Sequence, residues 1–107
     1  MGGGQMDEKK TALIFKAFCD EKRQRILELL QNGEQCTCVL TAKLDMPQST
    51  LSYHMKILCE SGIVNGREDG KWTHYHINEA AAARAVEMLK EITKQNGKAL
   101  DCCTCGK

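Results

Sequence analysis

The sequence predicts a mainly helical domain carrying one small β-hairpin. Three observations lead there. Apolar residues recur at helical spacing in five segments. Pro47 opens one of these segments directly after a short turn, as a first-turn proline does. Asp69-Gly70 sits between two short strand-like runs, the pairing that marks a hairpin turn.

The elements follow in order. A first helix is expected from about Asp7 to Phe18, with Leu13, Ile14, Ala17 and Phe18 as its apolar stripe. Asp20 is a fitting N-cap for a second helix, whose Ile26, Leu27, Leu29 and Leu30 have core spacing. Asn32-Gly33 ends that helix, because both residues tolerate a left-handed C-cap. A third helix spans Thr37 to Leu44, and Asp45-Met46-Pro47 is a turn. The fourth helix runs from Pro47 to Ser61 and stops at Gly62. Leu51, Met55 and Leu58 face the core; Ser49, Ser52, Tyr53, Lys56 and Glu60 lie opposite. Ile63–Arg67 and Trp72–Ile77 form the hairpin. Asn78 caps a last helix to about Gln95, with Ala82, Val86, Leu89 and Ile92 in register, and Ala85 as an alternative. This is the order of a winged helix-turn-helix. The first and last helices keep unused apolar stripes, which suit a homodimer interface.

Length and composition agree. A chain of 107 residues fits one domain. Residues 1–6 read as a flexible leader, 7–97 as the folded domain, and 98–107 as a cysteine-rich tail. No apolar run is long enough to span a membrane and no signal peptide is visible, so a cytoplasmic protein without a membrane partner is expected. The net charge of +1 is low for a nucleic-acid binder. Acidic residues clustered away from a contact face reconcile the two.

Seven cysteines in so short a chain can mean a secreted disulfide framework. The helical patterning argues instead for reduced thiols. Five of them sit in Cys-x-Cys or Cys-Cys arrangements, where pairing is expected to be strained. Clustered thiolates then suggest capture of a soft ion. Cys36 and Cys38 stand at the start of the third helix, and Cys102, Cys103 and Cys105 in the tail. Cys19 and Cys59 are expected to be small buried hydrophobes.

The fourth helix begins with small polar residues. Gln48, Ser49, Thr50 and Ser52 suit contacts to base edges and phosphates of double-stranded DNA. Tyr53, His54 and Lys56 add reach toward the backbone, and Arg67 and Lys71 bracket the hairpin turn near a minor groove or phosphate. A polar face alone would indicate a solvated helix. The short helix, turn, proline and hairpin together favour DNA reading. His74 and His76 are read as hairpin residues facing solvent or packing at the interface.

The stretches Cys36-Thr37-Cys38-Val39-Leu40, Pro47 to Leu58, Cys59-Glu60-Ser61-Gly62-Ile63-Val64 and Gly70-Lys71-Trp72-Thr73-His74-Tyr75 resemble the ArsR/SmtB repressors. The first is similar to their sensor motif and the second to their recognition helix. The likeness covers roughly Phe15 to Ile77. It implies a homodimeric winged-helix repressor that leaves its operator when an ion binds. As(III) or Sb(III) is the expected inducer, with no constitutive cofactor. Cd(II) or Pb(II), held with two tail thiols, is the alternative. A thiol-redox regulator is a further reading. Where the family's arsenic-sensing pattern has a third cysteine, this chain has Thr41. The third donor is therefore expected from Cys102, Cys103 or Cys105, or is missing from a two-sulfur site. The family's other site, built of His and carboxylates on the last helix, has no histidine here, which disfavours zinc.

If Cys36 and Cys38 both lie on an ideal helix, their side chains point about 200° apart. Capture then has to unwind or tilt the third helix and disturb the recognition helix. No Cys-x-x-Cys opens a helix after a strand, and no nucleophile–base–acid set is visible, so catalysis is not expected.

Overall fold

The computed structural model describes residues 7–97. The leader and the cysteine-rich tail, with Cys102, Cys103 and Cys105, lie outside the described residues.

Each helix begins where local chemistry directs it. The Asp7 carboxylate accepts from the Lys9 and Lys10 N–H groups and starts α1 (Glu8–Lys16). Asp20 accepts from Lys22 N at 2.7 Å and starts α2 (Glu21–Leu30). A two-residue strand, β1 (Gln35–Cys36), leads into α3 (Thr37–Leu44). Asp45 then turns the chain with φ +50°, ψ +54°, a left-handed conformation that Asp tolerates better than most residues. Pro47 is the N-cap of α4 (Gln48–Glu60). Strands β2 (Val64–Asp69) and β3 (Trp72–Ile77) form the hairpin. Asn78 accepts from Ala81 N and starts α5 (Glu79–Ile92).

Three details differ from expectation. Strand β1 has no counterpart in the sequence reading; it pairs antiparallel with β3, giving a sheet ordered β1-β3-β2. The hairpin loop is Gly70-Lys71 rather than Asp69-Gly70, because Asp69 pairs with Trp72. Gly70 has φ +66°, which a glycine adopts freely at the first central position of a hairpin turn. Helices α1 and α5 are also shorter than expected, ending at Lys16 and Ile92.

The core gathers Ala17, Ile26, Leu30, Leu40, Leu51, Met55, Leu58, Ile63, Val64, Ala81 and Ala85. It lies where α1, α2, α3 and α4 meet the foot of the hairpin. Helix α4 is locked at its end by Ser61, whose hydroxyl donates to Leu58 O and accepts from Ile63 N. Asn78 N donates to Ile63 O at 2.8 Å, tying the start of α5 to the same corner. On α5 the core face is Ala81 and Ala85; Val86, Leu89 and Ile92 remain about half exposed. Leu13 on α1 is also exposed. No helix among the described residues is long and apolar enough to cross a membrane.

Candidate thiol centre and nucleic-acid interface

Cys36 is not helical. It is the N-cap of α3, with extended backbone at φ −89°, ψ 163°. The reason is its pairing with His74 of β3, a long-range contact that holds it in a strand. Cys38 lies in the first turn of α3. The chain bends between them, and the two sulfurs converge to 2.6 Å. The expectation that two residues on one ideal helix diverge therefore does not apply, and capture does not require α3 to unwind. The thiol–thiol hydrogen bond with Cys38, and after it the Val39 N–H, draw the Cys36 thiol below the ordinary cysteine range. Cys38 is pushed up, first by that same hydrogen bond and then by burial.

No third Cys, His, Asp or Glu joins the pair in a metal-sized cluster among the described residues. Thr41, at the position of the family's third cysteine, directs its hydroxyl to Thr37 O and Cys38 O. Cys59 is half-buried against the core, and burial pushes its thiol up. Cys19 is exposed, not buried as expected, and donates to Phe15 O.

Cys38 opens into a cleft of about 350 Å³. Its other walls are Thr37, Thr41, Gln48, Lys71, Trp72 and Thr73. Thus Cys38, the start of α4 and the tip of the hairpin share one space.

The fourth helix presents Gln48, Ser49, Ser52, Tyr53 and Lys56 to solvent, with Thr50 half-buried. Tyr53 is 61% exposed, unusual for so large a ring. His54 is the exception. The sequence reading directs it toward a DNA backbone, but it is only 4% exposed. Its Nδ1 lies 3.0 Å from an Arg23 guanidinium nitrogen. A guanidinium only donates, so His54 accepts at Nδ1 and carries its proton at Nε2. Burial holds the imidazole pKa below its ordinary value; the Arg23 charge adds to this and the Asp20 carboxylate opposes it. Arg23 also donates to Lys16 O, so one buried side chain joins α1, α2 and α4. Its Nε has no hydrogen-bond partner among the described residues. Sequence reasoning missed Arg23, although it stands three residues before Ile26 and seven before Leu30, on the buried stripe of α2.

Arg23→Ala is expected to cost about 1–3 kcal/mol, because it leaves the buried His54 Nδ1 unpaired and removes one of two donors to the Lys16 carbonyl. Urea denaturation of the two proteins measures this. The pH dependence has a definite sign. The folded imidazole is harder to protonate than the unfolded one, so the unfolded chain takes up protons first as pH falls. Stability is therefore full above the ordinary His pKa of about 6.5 and declines below it until the folded group titrates. His54→Asn should flatten that decline in denaturation curves between neutral and acidic pH.

On the hairpin, Lys71 is exposed at the turn, whereas Arg67 is already engaged. Its guanidinium donates to Glu34 at 2.7 Å and 3.3 Å, and Asp69 lies 3.8 Å away. Glu34 carries no signal in the sequence; only the fold places residues 34 and 67 together. The Arg67 hydrogen bond holds the Glu34 carboxyl below the usual range. His76 Nδ1 lies 3.7 Å from the same carboxylate.

Comparison with known proteins now adds to this geometry. Residues 20–66 match the family described as "Bacterial regulatory protein, arsR family". An uncharacterized HTH-type transcriptional regulator of Methanocaldococcus jannaschii is 40% identical over 85 residues, covering 78% of this chain and 96% of the relative. The arsenical resistance operon repressor of Bacillus subtilis is 39% identical over 106 residues, covering 92% of this chain and 100% of the relative. A solved ArsR-like transcriptional regulator from Rhodococcus superposes with TM-score 0.71 at 25% identity, covering 79% of this chain and 80% of that one. The match runs through α2, Cys36 and Cys38, the turn and α4, and so includes the exposed polar helix and part of its neighbouring cleft. The chain belongs to the arsR family of bacterial regulatory proteins, and is a DNA-binding transcriptional repressor built on a winged helix-turn-helix.

Proposed function

We propose that this repressor binds double-stranded operator DNA as a homodimer and releases it when As(III) or Sb(III) is captured by Cys36 and Cys38. The observation that carries the reading is the convergence of these two sulfurs beside a cleft walled by Gln48 of α4 and Lys71 of the hairpin. Soft thiolates select soft thiophilic ions. The resemblance to arsenical resistance repressors supports a metalloid as the guest.

In this reading α4 enters the major groove, with Gln48, Ser49, Thr50 and Ser52 at its leading end. Tyr53 and Lys56 serve the flank, and Lys71 and Arg67 the hairpin side. His54 holds α4 in place from within. Val86, Leu89 and Ile92 of α5, with Leu13 of α1, supply an apolar face for the second subunit. A groove of about 590 Å³ between α1 and α5 continues that face.

Release follows from spacing. A guest seated between Cys36 and Cys38 parts two sulfurs that otherwise touch. Cys36 is hydrogen-bonded into the hairpin through β3, and Cys38 belongs to α3, which packs on α4. Spreading the thiols therefore shifts α4 against the hairpin, the two elements that must fit the duplex together. A further thiolate from Cys102, Cys103 or Cys105 completes the coordination of the guest.

Operator binding followed by fluorescence anisotropy, with and without arsenite or antimonite, tests this. The expected loss of affinity is about 10- to 100-fold, the range of ordinary coupling energies. Equal affinities reject the proposal. A cadmium arm, read by thiolate-to-metal absorption, separates a four-sulfur Cd(II) site from a metalloid site.

A further inference from the structure

The thiols of Cys36 and Cys38 lie in direct contact. Their sulfurs lie 2.6 Å apart, about 0.6 Å beyond a disulfide bond. Cys38 is exposed and Cys36 half-buried, so small oxidants can reach them. The strain expected of so short a pairing is relieved by the backbone: Cys36 is extended and Cys38 helical, and the bend between them brings the sulfurs together.

We propose that a peroxide converts Cys36 and Cys38 into a disulfide, and that this oxidised repressor keeps its operator while becoming blind to metalloid. The proposal rests on the reading of these two residues as the capturing thiols. The chemistry balances. One thiol attacks the peroxide, the O–O bond breaks, and sulfenic acid and water form. The other thiol attacks the sulfenic sulfur, the S–O bond breaks, the S–S bond forms, and a second water leaves. Two thiols and one hydrogen peroxide thus give one disulfide and two waters. Two electrons pass from sulfur to oxygen.

Retention of DNA follows from the direction of movement. Capture parts the sulfurs with a guest between them, whereas oxidation joins them directly. The pairing of Gln35 with Tyr75 and of Cys36 with His74 can persist, as can the first turn of α3. The hairpin and α4 therefore keep their mutual pose. A disulfide offers no thiolate, so the inducer finds no ligand pair.

The test treats the full-length protein with stoichiometric hydrogen peroxide and maps thiols by peptide mass spectrometry. The peptide holding both residues should lose two hydrogens, and Cys36→Ser should prevent it. Operator affinity should stay within about threefold of the reduced protein, and arsenite should no longer release DNA. Reduction followed by removal of the reductant should restore release. Pairing of Cys36 or Cys38 with Cys102, Cys103 or Cys105 overturns the proposal, as does a pair that stays reduced while Cys19 oxidises. So does an affinity loss of about tenfold or more on oxidation, which would make the oxidant itself an inducer. If the disulfide forms but the reduced protein ignores arsenite and antimonite, the capture reading fails and metalloid blindness falls with it. The disulfide would then stand by itself.

Discussion

Cys36→Ser or Cys38→Ser is expected to abolish release by arsenite while leaving operator affinity within about threefold of wild type. Serine preserves the size of the side chain and the extended-to-helical bend of the backbone. At the N-cap of α3 a serine hydroxyl would even cap better than the Cys36 thiol, because it accepts hydrogen bonds more strongly. Neither sulfur lies in the core, so the fold should not suffer. The whole loss should therefore appear as the missing difference between anisotropy titrations with and without metalloid. Thr41→Cys gives the complementary result. It supplies a third sulfur on the second turn of α3, beside the same cleft. The metalloid concentration needed for release should fall. If the double Cys36→Ser, Cys38→Ser protein still dissociates on metalloid addition, the thiol pair is not the sensor.

Leu89→Glu is expected to produce a folded monomer whose operator affinity is lower by about 100-fold or more. Leu89 is about half exposed in the single chain, between Val86 and Ile92 on the same face of α5. Charging it costs the isolated subunit little, since no core contact is lost. In a twofold dimer the change places two carboxylates in one apolar interface, where each is desolvated and repelled by the other. The reading helices of a dimer reach two half-sites held together, and separate subunits lose that linkage. Size-exclusion chromatography and anisotropy on the same samples measure both effects. A Leu89→Glu protein that remains dimeric at low micromolar concentration would show that α5 does not carry the interface.

Much of this architecture is legible in sequence because it is written locally. Asp20 and Asn78 cap the helices they are expected to cap, and α3 spans the expected Thr37–Leu44. What the sequence hides depends on distant contacts. A strand of two residues has no periodicity, so β1 is invisible without its partner β3. The geometry of Cys36 is hidden with it, since only that pairing holds residue 36 extended. The hairpin loop lies one residue later than the Asp-Gly signal, because the register is set by Val64 opposite Ile77 at the core end. His54 is a different kind of error. Residues 51, 54, 55 and 58 form one helical stripe, so the spacing already places it inside. Its residue type suggests otherwise, and its buried partner Arg23 lies on another helix. The tail cysteines lie beyond the described residues, and their part in capture rests on composition alone.

Glu34→Gln should raise operator affinity severalfold at low salt, by freeing Arg67 for phosphate, while Arg67→Ala should lower it. The native ion pair thus has a consequence for search. A repressor meets vastly more random sequence than operator, and every unsatisfied cation lengthens its stay at wrong addresses. If Arg67 serves phosphate as proposed, a built-in counter-ion at the hairpin shortens the subunit's stay on bulk chromosome. In that proposed reading, the arginine turns to phosphate only where the duplex outcompetes Glu34.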